Sequence, residues 1–387
     1  MAQMFSEELP CASYFLAQQS LVQSTPVVRA RLDPRASRAG EATLKRVLTD
    51  ARILLLATLF ALTACASPYV QATGQIVAIP QLILSPTAGR GFVQVSDGAR
   101  LPVQVWAPPA DDARPRAVIV GVHGFNDYLN TFAAAGSWWA DHGILTYAYD
   151  QRGFGAAPEP GKWPGQKRMV RDLESVVAAV RERHPRIPVF LHGNSMGGAV
   201  VLLALSEQQL GGDIASVRGA ILTAPAVWGG STMNPVYRIT LWIAAHTVPS
   251  QSVTGRALGI LPSDNIEMLR ALGRDPLVIK ETCIDSLYGL VGLMGAAQRV
   301  SEHAKGPLLV LYGAKDGVIP RPPISEMAAK LAASARFVVY PAGYHMLLRD
   351  LQAQTVWRDI AAWIDDTVAP LPSGKEVSGT KLFGAQR

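Results

Sequence analysis

The feature that most constrains this chain is a short turn between an apolar run and a helix-like run. Residues 190–199 read Phe-Leu-His-Gly-Asn-Ser-Met-Gly-Gly-Ala and contain a G-x-S-x-G pattern centred on Ser195. An apolar run that begins at Pro188 precedes the pattern, and a run typical of a helix follows it. Strand, sharp turn and helix in this order form a nucleophile elbow, which exposes the serine side chain. The sequence therefore predicts that Ser195 is a nucleophile, although the pattern alone also fits an ordinary turn of small residues.

Apolar runs typical of buried strands alternate with helical patterns along most of the chain. A hairpin is predicted over 92–95 and 101–107. The further strands are predicted at 117–122, 144–149, 189–191, 219–223, 307–312 and 336–340, and the helices at 130–142, 165–184, 197–208, 324–333 and 353–368. This alternation predicts an α/β fold with an open, mostly parallel sheet and helices on both faces. Sites in such sheets lie beyond the carboxyl ends of the strands.

Asp316 and His345 each follow a late predicted strand, where they would meet Ser195. An aspartate before a glycine also occurs in plain turns, so Asp316 alone is a weak signal. The order Ser195, Asp316, His345 predicts a catalytic triad, in which the carboxylate orients the imidazole and the imidazole activates the serine.

Two backbone N–H groups are expected to complete this site. Phe125 follows the strand at 117–122 within His123-Gly124-Phe125, and Met196 begins the helix after Ser195. Two such donors stabilise the oxyanion of an acyl-transfer reaction. The His123 side chain is interpreted as structural.

Composition and cysteine spacing exclude other classes of function. The 387 residues are 49% hydrophobic and 17% charged, and the net charge of +6 shows no clustered basic stripe, so no nucleic-acid binding is predicted. Cys11, Cys65 and Cys283 show neither a C-x-x-C pair nor zinc spacing. The sequence predicts no metal site and no structural disulfide.

The region before Cys65 is typical of a secretory signal peptide. Lys45, Arg46 and Arg52 precede a short apolar run over 53–64, which ends in Leu-Thr-Ala before Cys65. These last residues resemble the bacterial lipobox, in which the cysteine carries a lipid and becomes the first residue of the mature protein. A lipid-anchored protein of the bacterial envelope is therefore predicted, with the outer membrane favoured because an alanine follows the cysteine. A secreted or periplasmic protein is the alternative.

Five groups of residues together resemble one family. They are His123-Gly-Phe, Asp150-x-Arg-Gly-x-Gly, Gly193-Asn-Ser-Met-Gly-Gly, Gly313-Ala-Lys-Asp and Tyr344-His-Met-Leu-Leu. This set, within a similarity over 92–368, looks like the monoacylglycerol lipase and lysophospholipase branch of the α/β-hydrolases. The resemblance implies a serine esterase that acts on single-chain lipid esters without a cofactor. The family pattern commonly has histidine where this chain has Asn194.

The predicted domain organisation follows from this resemblance and from the interruption of the strand–helix alternation after the strand at 219–223. The segments are an extension with a removed signal peptide (1–64), a linker (65–90), a hydrolase core in two parts (91–224 and 306–370), a cap insertion (225–305) and a tail (371–387). Apolar helices of the cap are expected above Ser195, where they either line an acyl site or pack on the core.

The function predicted is hydrolysis of monoacylglycerol to glycerol and fatty acid through an acyl-enzyme on Ser195. A small lipid ester and a membrane surface are the expected partners. A lysophospholipase or a broader carboxylesterase would share every catalytic residue, as would a thioesterase or acyltransferase. A non-catalytic lipid-binding lipoprotein is the alternative from a different class.

Overall fold

The computed structural model describes residues 45–53, 67–72, 74–85, 89–109, 114–206, 212–255, 259–331 and 335–378. Most of the predicted signal peptide, and Cys65 with it, lies outside the described residues. Residues 45–53 are helical and form α1. None of the helices in the described part of the chain has both the length and the apolar character needed to cross a bilayer.

A ten-stranded sheet forms the centre of the molecule, and a pair of two-residue strands forms a second sheet. The strands are β1 Gln81–Leu84, β2 Arg90–Gln94, β3 Arg100–Trp106, β4 Ala117–Val122, β5 Ile144–Tyr149, β6 Val189–Asn194, β7 Gly219–Thr223, β8 Ser252–Val253, β9 Thr282–Cys283, β10 Leu308–Gly313, β11 Ala335–Tyr340 and β12 Glu376–Val377. The order in the large sheet is β1-β2-β3-β5-β4-β6-β7-β10-β11-β12. The six strands from β5 to β11 in this order are parallel, and the outer strands are antiparallel.

Helices cover both faces of the large sheet. Those after α1 are α2 Ala133–Ala140, α3 Gln166–Arg183, α4 Met196–Ser206, α5 Gly212–Ala215, α6 Pro235–Thr247, α7 Ile266–Arg274, α8 Ile284–Val300, α9 Arg321–Leu331 and α10 Ala353–Asp365. One hydrophobic core lies under α3, α4, α8 and α9, and another lies under α2 and α10. The central strands are buried on both faces, which explains their continuous apolar sequences. The predicted fold class is confirmed.

Three predicted boundaries need correction. The predicted linker 65–90 contains β1 and the start of β2, and the predicted tail 371–387 contains β12, which pairs with β11. Both strands are short edge strands, for which hydrophobic periodicity gives little signal. The strand before Ser195 also runs to Asn194 rather than ending at 191, because His192-Gly-Asn continues the ladder with β7.

The predicted cap, 225–305, divides into two structural parts. Helix α8 belongs to the main core, since Leu293 and Ala297 are fully buried in the cluster that also contains α4. Helices α6 and α7 instead expose much apolar surface, including Val236, Tyr237 and Ile266. The covering part of the insertion is therefore 225–283, and α8 is a layer of the body.

Candidate active site

The turn between β6 and α4 holds Ser195 in a strained conformation. Ser195 has φ of 52°, in the left-handed region that side chains other than glycine seldom adopt. Its N–H donates to the carbonyl of Thr223 at 2.9 Å, and its own carbonyl accepts from Gly198 and Ala226, each at 2.9 Å. Because the neighbouring main chain fixes the turn on both sides, the side chain stands at the carboxyl end of β6 without depending on any ligand.

The two glycines of the G-x-S-x-G pattern are required by close packing. A Cβ atom on Gly197 would overlap the carbonyl oxygen of Val122 in β4, and one on Gly193 would meet the main chain of Gly197 and Gly198. The elbow is therefore sterically determined: any larger residue at these two positions moves the backbone on which Ser195 sits.

The structure brings Ser195, Asp316 and His345 together. The His345 Nε2 lies 2.9 Å from the Ser195 Oγ, and the Nδ1 lies 2.8 Å from the Asp316 Oδ2. Asp316 and His345 are buried, whereas Ser195 remains partly exposed. With Nδ1 donating to the carboxylate, Nε2 is free to accept the hydroxyl proton of the serine.

The turn that carries Asp316 is tied directly to the loop that carries His345. The Asp316 Oδ1 accepts from the N–H groups of Val318 and Ile319, at 2.8 and 3.0 Å, which fixes the carboxylate. The N–H of Lys315 donates to the carbonyl of Gly343 at 2.9 Å. The two loops are thus joined by a direct main-chain hydrogen bond.

Phe125 and Met196 carry backbone N–H groups beside Ser195. Met196 opens α4, where an N–H has no partner in its own helix, and Phe125 follows the close approach of Gly124 to the Ser195 Cβ. Neither N–H donates a hydrogen bond to any of the described residues. Both groups are available to an oxyanion formed on an acyl group at Ser195.

His123 lies beneath this turn with both ring nitrogens occupied. Its Nε2 accepts from the N–H of Gln151 at 2.9 Å, and its Nδ1 donates to the carbonyl of Gly124 at 2.7 Å. Complete burial lowers the pKa of His123, so the ring is neutral. Arg152 is also structural, because it pairs with Asp97 and Asp172.

A small cavity of about 60 Å³ opens beside Ser195. Its polar wall contains Asp127, Thr131 and Arg349. The Arg349 guanidinium pairs with the Asp127 Oδ2 at 2.9 Å, and Thr131 donates to the same oxygen at 2.6 Å. This wall offers hydrogen-bonding groups whose charges cancel.

Hydrogen bonds attach the covering insertion to two loops that line the cavity of Ser195. Near Phe125, the Asn126 Nδ2 donates to the Thr282 Oγ1 at 2.6 Å, and the Tyr128 hydroxyl donates to Asp275 at 2.7 Å. On the other side, the N–H of Met346 donates to the carbonyl of Pro262 at 3.0 Å, and the Ser263 hydroxyl donates to Asp350 at 2.7 Å. The insertion therefore bridges the loop that carries Phe125 and the loop that carries His345.

Two charged residues of this cavity wall are absent from the sequence-based prediction. Asp127 and Arg349 are charged residues within four positions of Phe125 and His345, and that proximity was the available signal. Their pairing could not be foreseen because they are 222 residues apart. Asn194 lines the cavity with Ser195, and its buried Oδ1 has no hydrogen-bond partner among the described residues. The described residues contain no cluster of His, Cys, Asp and Glu that could hold a metal ion.

A family model, curated proteins and solved structures are all similar to most of this chain. Residues 113–352 match the Hydrolase_4 family, described as serine aminopeptidase, S33. The monoacylglycerol lipase of Mycolicibacterium smegmatis is 28% identical over 303 residues, which cover 73% of this chain and 99% of that protein. The monoglyceride lipase of Homo sapiens is 25% identical over 291 residues, covering 71% and 89%. A solved structure of a soluble variant of monoglyceride lipase from Saccharomyces cerevisiae, in complex with a substrate analogue, has a TM-score of 0.61 at 19% identity and covers 78% of this chain and 99% of that chain.

Proposed function

The chain belongs to the serine aminopeptidase S33 family and is a serine hydrolase with the α/β-hydrolase fold, and on that premise we propose that it hydrolyses monoacylglycerol to glycerol and a fatty acid. Lipid ester hydrolysis in general is supported by the relatives named monoacylglycerol or monoglyceride lipase. The observation that carries the finer proposal is the hydrogen-bonded chain from Asp316 through His345 to Ser195, beside a polar wall without net charge.

The proposed reaction proceeds in two steps through an acyl-enzyme. His345 accepts the proton of Ser195 as the Oγ attacks the ester carbonyl, and Asp316 stabilises the imidazolium. The N–H groups of Phe125 and Met196 hold the oxyanion. Glycerol leaves with the proton from His345, and a water activated by the same imidazole then releases the fatty acid and restores Ser195.

The polar wall supports an uncharged head group. A phosphate would need an unpaired cation and a free amino group would need an unpaired carboxylate, but Arg349 and Asp127 pair with each other. Breaking a mostly buried ion pair leaves one charge without compensation, which disfavours both. Glycerol hydroxyls require only hydrogen-bonding groups without a net charge, which this wall offers.

The test is hydrolysis of a matched panel by the full chain and by Ser195→Ala. The panel contains monoacylglycerols of several chain lengths, lysophosphatidylcholine, p-nitrophenyl butyrate, a diacylglycerol and an aminoacyl anilide. We expect the highest kcat/KM on long monoacylglycerols, with activity in Ser195→Ala reduced by at least about 10⁴-fold. Preference for lysophosphatidylcholine or for the anilide would overturn the head-group proposal, and near-wild-type turnover by Ser195→Ala would overturn the mechanism.

We also propose attachment to the bacterial envelope through a lipid on Cys65. The support is the basic, apolar and small-residue order of the preceding segment. Two or three acyl chains would anchor the protein stably, at about 0.8 kcal/mol for each buried methylene. Metabolic labelling with a fatty acid should mark the wild type and not Cys65→Ala, and equal labelling of both would contradict the proposal.

A further inference from the structure

A long apolar groove lies outside the catalytic cavity. It has a volume of about 750 Å³, within the range typical of small-molecule sites. Helices α6 and α8 form its long walls, and the segment at 68–70 and Trp163 close it at one end. None of its lining residues lines the cavity of Ser195. Phe125 and Trp163 stand between the two spaces, with ring centroids 6.4 Å apart.

The walls of the groove are suited to an acyl chain. Gly289, Gly292 and Gly295 lie three residues apart on α8 and line the groove. Trp163 packs on Gly289 and the main chain of Gly229 and Gly230 packs on Gly295, whereas Gly292 faces open space. Ile239 and Trp242 of α6 line the opposite wall and are about half exposed, at 59% and 50%. An apolar groove lined by aromatic and aliphatic side chains removes part of a hydrocarbon chain from water, which is favourable.

The charged groups are separated along the groove. Helices α6 and α8 run antiparallel, since His246 near the end of α6 contacts Tyr288 near the start of α8. Arg299 at the end of α8 lies beside Gly230, which precedes α6. Arg238, one turn into α6, is therefore at the same end as Arg299, and Asp285 is at the opposite end.

Within the described part of the chain the two arginines have no carboxylate partner, whereas Asp285 accepts hydrogen bonds. Neither the Arg238 nor the Arg299 guanidinium forms an ion pair with any of the described residues. Asp285 accepts from the N–H groups of Ser286 and Tyr69. The arginine end can thus accept an anion, and the carboxylate at the other end disfavours the reverse orientation.

The distance between the two ends suits one acyl chain. Asp285 and Arg299 are separated by fourteen residues of α8, or about 21 Å at 1.5 Å per residue. A bilayer core of about 30 Å holds two opposed layers of chains, so one chain spans about 15 Å. A chain with its head at the arginines therefore reaches towards Trp163 within the length of the groove.

We propose that this groove is a second lipid site, which binds a long-chain fatty acid with its carboxylate between Arg238 and Arg299. The choice of a fatty acid rests on the proposed function, because such an acid is the product released at Ser195. The binding itself does not depend on the triad, so the two proposals can fail separately.

The test measures binding of a dansyl-labelled long-chain fatty acid and of its methyl ester to the full chain carrying Ser195→Ala, which cannot turn over the ester. We expect saturable binding of the acid. The double variant Arg238→Gln/Arg299→Gln should bind the acid roughly tenfold more weakly and the ester unchanged, because only the acid gains charge-assisted hydrogen bonds. Equal weakening of acid and ester, or no weakening of either, would overturn the head-group assignment.

Glycine substitutions locate the bound chain. A Cβ on Gly292 points into open space and lines the groove, and a Cβ on Gly273 of α7 also meets nothing but lies elsewhere. Gly292→Trp should weaken binding of both probes by more than about tenfold, and Gly273→Trp should bind as the parent does, with equal circular dichroism and Tm confirming that both fold.

Unchanged binding by Gly292→Trp would place the probe elsewhere, such as the cavity of Ser195, and would overturn the proposal. Binding that is present in Cys65→Ala but absent from a lipid-bearing wild type would assign the groove to the protein's own acyl chain and would overturn it as well. Hydrolysis of monoacylglycerol by the enzyme with Ser195 intact is scored separately and tests only the proposed function.

Discussion

The elbow and the covering insertion are held in place by different forces. The elbow is fixed by close packing, since Gly197 lies against the Val122 carbonyl and α4 is buried along nearly its whole length. The insertion buries a few apolar residues such as Val227, and polar contacts such as Asn126 with Thr282 join it to the loops around Ser195, while α6 and α7 leave large apolar side chains exposed. Steric contacts allow one arrangement, whereas single hydrogen bonds contribute about 1 kcal/mol each and can be replaced by water. We therefore expect the chemistry to be preorganised and the cover to be adjustable.

After Ser195→Ala, the largest effect should come from Asp316→Asn, which changes the proposed triad without changing its packing. The amide can still accept from Val318 and Ile319, but its NH₂ group would face the His345 Nδ1 and place the imidazole proton on Nε2. That tautomer cannot accept the Ser195 proton, so kcat should fall by about 10³- to 10⁴-fold while Tm changes little.

The double variant provides the control for that prediction. If Asp316 acts only through His345 and Ser195, then Ser195→Ala/Asp316→Asn should be no slower than Ser195→Ala. Kinetics of both variants on a long monoacylglycerol measure this. A further loss in the double variant would mean that Asp316 acts outside the triad.

The next largest effect should come from Gly197→Ala, which tests whether close packing holds the elbow in place. The added Cβ would overlap the Val122 carbonyl, so the turn at Ser195 must shift. A displacement of about 1 Å is worth roughly 10²-fold in rate. We expect that loss in kcat together with a lower Tm. Gly273→Ala is the matched control, because its Cβ meets nothing in a helix, and activity there should be unchanged.

The sequence predicted the elbow, which close packing determines, better than the polar contacts between distant residues. The elbow, the strands on both sides of it and the positions of Asp316 and His345 follow from short motifs and from buried strands with continuous apolar sequences. The family resemblance is confirmed. The pairs Asn126 with Thr282 and Asp127 with Arg349 join residues 156 and 222 positions apart. Local sequence patterns carry no information about such pairs. They also do not show whether Leu293 belongs to the cap or to the core, because that depends on the packing of α8 against α4.

A smaller effect is expected from Thr282→Val, which tests the contribution of a polar contact between the insertion and the loop of Phe125. The valine keeps the shape of the side chain but leaves the Asn126 amide without its acceptor, and Asn126 adjoins Phe125. An unpaired, partly buried donor costs about 1–3 kcal/mol, part of which water recovers here. We expect kcat to fall about three- to tenfold with a small change in Tm. Thr247→Val removes a hydroxyl that bonds only within α6, and it should leave kcat unchanged. Equal losses in both variants would mean that the insertion acts as one rigid body.

The smallest effect is expected from Asn194→Ala, although this residue adjoins Ser195 and lines its cavity. Its buried Oδ1 has no partner among the described residues, so truncation breaks no hydrogen bond to that atom. The main chain of Asn194 continues the ladder with Thr223, and alanine keeps that pairing. We expect kcat/KM to stay within about threefold of wild type and the free energy of unfolding within about 1 kcal/mol. Kinetics on the monoacylglycerol panel and thermal unfolding measure both. A loss of 10²-fold or more would mean that the Asn194 amide helps to stabilise the reacting group. A residue beside Ser195 would then contribute to the rate without belonging to the triad or to the packing of the elbow.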